Sequence, residues 1–279
     1  MDSVSSVFPL PGEPEVMQLF PQISSQMRGM LSNIYLAGRK ILPEPEQLSP
    51  EKRKWLGVFN QYYFRMLRLV NNMSAASYLT GQRTFRMEAC EMVSMIRTLC
   101  ELSANLAEYG EVKLVFECPL SSHVSLVDTN AIRLLACHLI SNALKFTPAG
   151  GTVTVRLNVK QEHLILSVAD TGCGITPECF STLFDGYLHP EPGTMPLYGL
   201  GIGLALCRCV AHAHKGKIVA ESRSGQGSCF SFIMPDSQPK EYEGMLHESP
   251  ANELYGGFSP VMLYLADALA PETFLYFDD

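Results

Sequence analysis

His138-Leu139-Ile140-Ser141-Asn142-Ala143-Leu144-Lys145-Phe146-Thr147 closes an apolar stretch that starts near residue 129 and reads as a helix. Four residues separate His138 from Asn142, so the two share a helix face, and Lys145 lies one further step along. An amide oxygen is a hard ligand suited to Mg²⁺, and a lysine beside it suits phosphate oxygens. By itself the stretch is also compatible with an ordinary apolar helix that carries one Asn and one Lys.

Three further pieces follow in order. Asp170-Thr171-Gly172-Cys173-Gly174-Ile175 comes straight after a strand-like run. Its glycines let the backbone approach a flat ring, and its carboxylate can accept a hydrogen bond from an exocyclic amino group such as adenine's. A plain glycine loop is the alternative. Gly199-Leu200-Gly201-Ile202-Gly203-Leu204 opens a helix, where free N–H groups and the positive dipole end favour phosphate. The spacing is neither that of a dinucleotide-binding βαβ unit nor that of a P-loop. Gly225-Gln226-Gly227-Ser228 turns the last hairpin.

Around these pieces the chain reads as a helical hairpin followed by a mixed domain. Val16, Leu19, Phe20, Ile23, Met27, Met30, Leu31 and Ile34 recur at helical steps, and Pro43 and Pro45 end that helix. Ser49-Pro50-Glu51 starts a second helix bearing Trp55, Phe59, Tyr62, Met66, Leu69, Val70 and Met73. Such a hairpin has too little partner surface of its own, so pairing into a four-helix bundle is expected. Beyond Gly81 the pattern predicts a strand near Phe85, a helix over 88–109 and a strand over 112–117. A helix over 129–146, a hairpin over 152–170, a helix near 200–213 and a hairpin over 217–234 complete the series. The fold class is α+β, a two-layer α/β sandwich. The segments are a loose 1–15, the hairpin 16–80, the mixed domain 85–235 and a linker with an aromatic-rich tail over 236–279.

The 279 residues carry a net charge of −7, and no dense basic cluster points to nucleic acid. No apolar run long enough for a membrane span occurs. The start at Met1-Asp2-Ser3 is acidic and the first basic residue is Arg28, the wrong order for an export signal. Nine cysteines without C-x-x-C spacing read as reduced packing residues, consistent with a cytoplasmic location.

Taken together, Asn142 to Lys145, Asp170 to Gly174, Phe184, Gly199 to Gly203 and Gly225 to Gly227 resemble the ordered sequence boxes of the sensor histidine kinase ATP-binding domain. That domain belongs to the superfamily shared with gyrase, Hsp90 and MutL ATPases. The resemblance covers residues 85–235, or 16–235 with the hairpin. It implies ATP and Mg²⁺ as ligands, with Asn142 on the metal, Lys145 on phosphate and Phe146 beside the adenine. It further implies that Asp170 reads the adenine, supported by Gly172 and Gly174, while Gly199, Gly201 and Gly203 line the phosphates. Ser228 stands where the family places Thr or Ser behind the adenine, and 185–198 stands where it places the ATP lid. His138 replaces a second Asn, and in related ATPases that position holds a Glu base, so His138 is the candidate base. A homodimer, a response regulator and a His-bearing kinase acting in trans are the partners the resemblance implies.

The hairpin departs from the family at its centre. The family pattern Ser-His-Glu-Leu-Arg-Thr-Pro-Leu meets Ser24-Ser25-Gln26-Met27-Arg28-Gly29-Met30-Leu31 here. Ser25 occupies the acceptor position, with Gln26 in place of the adjoining acid. A serine without a neighbouring base is a poor nucleophile. The first histidine in the chain is His123, so residues 1–122 cannot carry phosphohistidine. With labelled ATP, peptides from the first helix should hold no acid-labile, base-stable phosphate. An acid-stable label abolished by Ser25→Ala would instead identify a serine acceptor.

Overall fold

The computed structural model describes residues 20–42, 44–79, 84–176, 202–238 and 259–275. Helix α1 (Phe20–Ile41) and helix α2 (Pro50–Leu79) form the hairpin, joined through a single 3₁₀ turn at Pro45–Gln47. Ser24, Leu31 and Tyr35 of α1 are buried, and the Tyr35 ring stacks on Tyr63 of α2 at 4.4 Å. Arg28 donates to Asn71 Oδ1 across the same seam at 2.9 Å. The longer apolar stripe points elsewhere. Ile23, Met27, Met30 and Ile34 of α1 and Trp55, Phe59, Tyr62, Met66 and Leu69 of α2 are exposed, Trp55 by 65% and Met30 by 63%.

The mixed domain is the expected α+β sandwich. Strand β1 (Glu88–Glu91) leads into helix α3 (Met92–Ala107), followed by β2 (Lys113–Glu117), β3 (Val124–Val127) and helix α4 (Thr129–Phe146). Strands β4 (Thr152–Lys160) and β5 (His163–Asp170), helix α5 (Ile202–Ala213) and strands β6 (Lys217–Ser222) and β7 (Ser228–Pro235) complete it. The five-stranded sheet runs in the order β2-β4-β5-β7-β6, with only β2 and β4 parallel. Alternation turns Val153, Val155 and Leu157 of β4 and Leu164, Leu166 and Val168 of β5 to one buried face, against which the helices pack. Each such side chain contributes about 1.5–3 kcal/mol of burial.

One segment corrects the sequence reading. The expected helix over 88–109 begins only at Met92, and the strand expected near Phe85 lies at Glu88–Glu91. Glu91 stops the helix there. Its carboxylate accepts from the Val93 and Ser94 amides at 3.3 and 2.5 Å and from the His123 amide at 2.6 Å. Strand β1 pairs antiparallel with β3, a strand absent from the sequence reading, with Cys90 opposite Ser125. Both strands are four residues long and have no turn joining them, so neither leaves a clear local pattern.

The C-terminal residues are part of the core. Helix α6 (Pro260–Leu265) and a 3₁₀ turn at Pro271–Phe274 bury Val261, Leu263, Tyr264 and Phe274 against α2, α3 and α4. Two amides on α2 bind the tail's main chain. Asn60 Nδ2 donates to the Phe274 carbonyl at 2.7 Å and Gln61 Nε2 to the Leu269 carbonyl at 2.6 Å. The tail therefore covers the domain-facing side of α2 and leaves the Trp55–Met66 stripe exposed.

Two histidines are held neutral inside this core. His214 Nε2 accepts from the Asp128 amide at 3.0 Å while Nδ1 lies 2.7 Å from the Val210 carbonyl. Burial lowers its pKa. His138 is 1% exposed, and burial, reinforced by the Arg68 charge, takes its pKa from the ordinary 6.5 down to about 3. Above pH 6.5 the folded and unfolded chains both hold this ring neutral. Below it the unfolded chain binds a proton that the folded chain refuses until about pH 3. Stability should therefore fall with acidification by about 1.4 kcal/mol per pH unit for this one group. Denaturant titrations between about pH 7 and about pH 5 check it. His138→Leu should lose less stability over that interval than the wild-type chain.

Candidate functional site

The site grows from the last residue of β5. The Asp170 side chain, 8% exposed, folds back on its own loop. Oδ1 accepts from the Gly172 amide at 2.8 Å and from the Ser228 amide at 3.3 Å, and Oδ2 accepts from the Ser228 hydroxyl at 2.5 Å. Three segments far apart in sequence are thereby tied together: the end of α4, the 171–175 loop and the 223–228 turn. Cys173 donates its amide to the Phe146 carbonyl at 3.3 Å, and Gly225 donates to the Cys173 carbonyl at 2.7 Å.

The glycines of the motifs are required by this closeness. A Cβ on Gly172 would stand 2.2 Å from the Phe146 carbonyl oxygen. Gly174 has φ +66 and Gly227 has φ +85, in the left-handed region, and each also abuts backbone oxygen, of Arg223 and of Asp170. Of the two glycines expected to support Asp170, Gly172 bonds its carboxylate while Gly174 packs on the Arg223 backbone. Ser228, expected behind the adenine, is a direct partner of Asp170.

Helix α4 supplies the other wall. Asp128 caps it, accepting from the Ala131 amide at 2.9 Å and from the Arg86 amide at 2.9 Å. Most of the helix is buried until its last turn, where Asn142 and Lys145 are half-buried and Phe146 is 46% exposed. The Lys145 ammonium lies 5.4 Å from the centre of the Phe146 ring. Burial lowers the Lys145 pKa, and the Asp267 carboxylate opposes that shift. The start of α5 closes on the same helix, since a Cβ on Gly203 would lie 2.9 Å from His138 Nδ1. Gly199, Gly201, Phe184 and the lid expected over 185–198 lie outside the described residues. Ser25 is exposed on α1.

His138 is enclosed. Its ring meets the Tyr264 ring edge-on at 4.9 Å, and among the described residues its Nε2 has no hydrogen-bond partner. A base that activates water needs a water path, and here Gly203 and Tyr264 flank the ring while its basicity is suppressed. Around it stands a cluster that sequence reasoning missed. Arg68 of α2 donates to Ser141 Oγ at 3.1 Å and to the Tyr264 carbonyl at 2.5 Å, and pairs with Asp267 at 3.1 Å. Arg65 reaches Asp267 at 3.4 Å. No sequence spacing pairs residue 68 with residues 141, 264 and 267; the apolar run Val261–Ala266 was the one available signal.

Residues 127–238 match the family of histidine kinase-, DNA gyrase B- and HSP90-like ATPases. The circadian input-output histidine kinase CikA of Synechococcus elongatus is 27% identical over 74% of this chain and 28% of its own length. The adaptive-response sensory kinase SasA of Crocosphaera subtropica is 29% identical over 78% of this chain and 59% of its own. The sensor histidine kinase WalK of Bacillus subtilis is 30% identical over 63% and 30%. This chain thus spans less than two thirds of the length of each relative. Among solved structures, full-length ShkA in complex with AMPPNP superposes with a TM-score of 0.63 at 23% identity, over 81% of this chain and 46% of that one. Residues 127–238 thus match the histidine kinase-, DNA gyrase B- and HSP90-like ATPase family, and the relatives that this chain resembles are sensor histidine kinases.

Proposed function

We propose that this chain is an ATP-binding, sensor-histidine-kinase-like protein of two-component signalling that does not phosphorylate its own first helix. The observation that carries the reading is the Asp170 carboxylate, held at the end of β5 by Ser228 and Gly172 in a loop whose glycines let neighbouring backbone segments close tightly around it. In this reading Asp170 receives the adenine amino group and Phe146 covers one side of the ring. Asn142, one turn back on α4, and Lys145, next to Phe146, serve the phosphates, together with Gly199, Gly201 and Gly203. The Asn142 carboxamide offers the hard oxygen that Mg²⁺ prefers, and the metal would neutralise phosphate charge there.

The phosphoryl group then has a destination outside α1. Ser25 is exposed, but its neighbour Gln26 cannot take its proton. A His-bearing kinase in trans, and through it a response regulator, fits the relatives. The missing acceptor also favours a second reading, a degenerate kinase whose nucleotide state controls a partner. Mixing the chain with labelled ATP and a His-bearing relative whose own ATP site has been disabled separates the two, since only the first reading places label on that histidine. The scattered cysteines suit the cytoplasm in either case, and among the described residues no helix is long and apolar enough to cross a membrane.

The exposed stripe of α1 and α2 supports a homodimer. Nine large apolar side chains on two adjacent helices face outward while the tail seals the opposite side of α2. Two such faces pack as a four-helix bundle. Sedimentation at micromolar concentration should give about twice 30.9 kDa, and Met30→Glu with Tyr62→Glu should give the monomer. A monomeric wild-type chain would rule the bundle out. For the nucleotide, calorimetry with a non-hydrolysable ATP analogue should give heat that Asp170→Asn weakens by roughly 1.5–3 kcal/mol, the worth of a charged hydrogen bond. Heat that the substitution leaves unchanged, or none at all, counts against the reading.

A further inference from the structure

We propose that residues 259–275 are a clasp that holds α2 over the His138–Lys145 face of α4 and competes with the nucleotide phosphates for that face, so that opening the clasp sets nucleotide affinity. The inference rests on the ATP reading above and adds a control element to the same site.

The clasp is built at both ends. At one end Tyr264 packs on His138 and, through its carbonyl, holds Arg68 against Ser141, the residue next to Asn142. At the other, the 3₁₀ turn sits in a notch that only a glycine leaves. Gly57 is buried in the first third of α2, and a Cβ there would come 2.5 Å from the Pro271 carbonyl oxygen. The Asn60 and Gln61 side chains then capture the Phe274 and Leu269 carbonyls. A tail that merely collapsed on apolar surface would not need two buried amides and a glycine notch to receive its main chain.

Charge ties the clasp to the site. Asp267 is the anion facing Arg65 and Arg68, and its carboxylate acts electrostatically on Lys145 as well. These are cations that a polyphosphate arriving at Asn142 and Lys145 would draw on. A triphosphate meets Asp267 as a like charge, and seating it favours release of the carboxylate together with Tyr264. Conversely, a closed clasp lowers apparent nucleotide affinity by the fraction of chains that are open.

The test is calorimetry with a non-hydrolysable ATP analogue on the full chain and on Gly57→Leu, which favours the α2 helix and blocks only the seat of the turn. Asp267→Asn serves as a second variant should Gly57→Leu fail to fold by circular dichroism. Amide hydrogen exchange of residues 261–274 is read with and without the analogue. The expected result is roughly tenfold tighter binding by the variant, the gain for a clasp open about one time in ten. Exchange of 261–274 in the wild-type chain should rise on ligand addition. Binding by the variant where the wild-type chain shows none is the same result in stronger form. Equal affinities with unchanged exchange overturn the clasp and leave the ATP site standing. No heat from any of the chains overturns both.

Discussion

Helix α4 is apolar almost all the way round, and that single constraint organises the molecule. Thirteen of its eighteen residues are buried. A sheet can cover only one side of a helix, so the remaining circumference needs other partners. Helices α3 and α5 flank it, and α2 with the C-terminal segment closes the outside. That outer cover keeps His138, Ser141 and Cys137 buried, and α2 is seated on α5 as well.

The burial of α4 stops at its last turn. Asp128 fixes the first turn and the 171–175 loop fixes the last, through the contact of Gly172 and Cys173 with the Phe146 carbonyl. Asn142, Lys145 and Phe146 emerge together beside Asp170 because the helix runs out of partners there. The site is therefore a rim: a rigid carboxylate loop on one side and the partly exposed last turn of a buried helix on the other. Such a rim can be precise while its neighbours move, since its own backbone groups are already paired.

The hairpin has one covered face and one exposed face. Its inner face, Tyr63, Phe64, Leu67 and Val70, is committed to this chain, and its outer face is not. The Arg68 guanidinium is the polar link across the inner face. Burial depresses its pKa while Asp267 sustains it, so the pair is worth most when both members are present.

The sequence was enough to read every element with a long, regular period: the two hairpin helices, the β4–β5 pair, the α4 helix and the last hairpin. It was also enough to propose a site, because Asn142, Lys145, Asp170, Gly172, Gly174 and Ser228 stand in short ordered runs, and the lack of any histidine before His123 is a property of sequence alone. It could not give β1 and β3, four-residue strands whose identity exists only in their pairing with one another. Nor could it show which way the hairpin stripe faces, since helical periodicity marks an apolar face without naming what covers it. The tertiary structure alone decided that Tyr264 and Asp267 reach His138 and Arg68. Those contacts join residues some seventy to two hundred positions apart, and nothing in local sequence encodes an interaction whose two halves meet only after the core around α4 has closed.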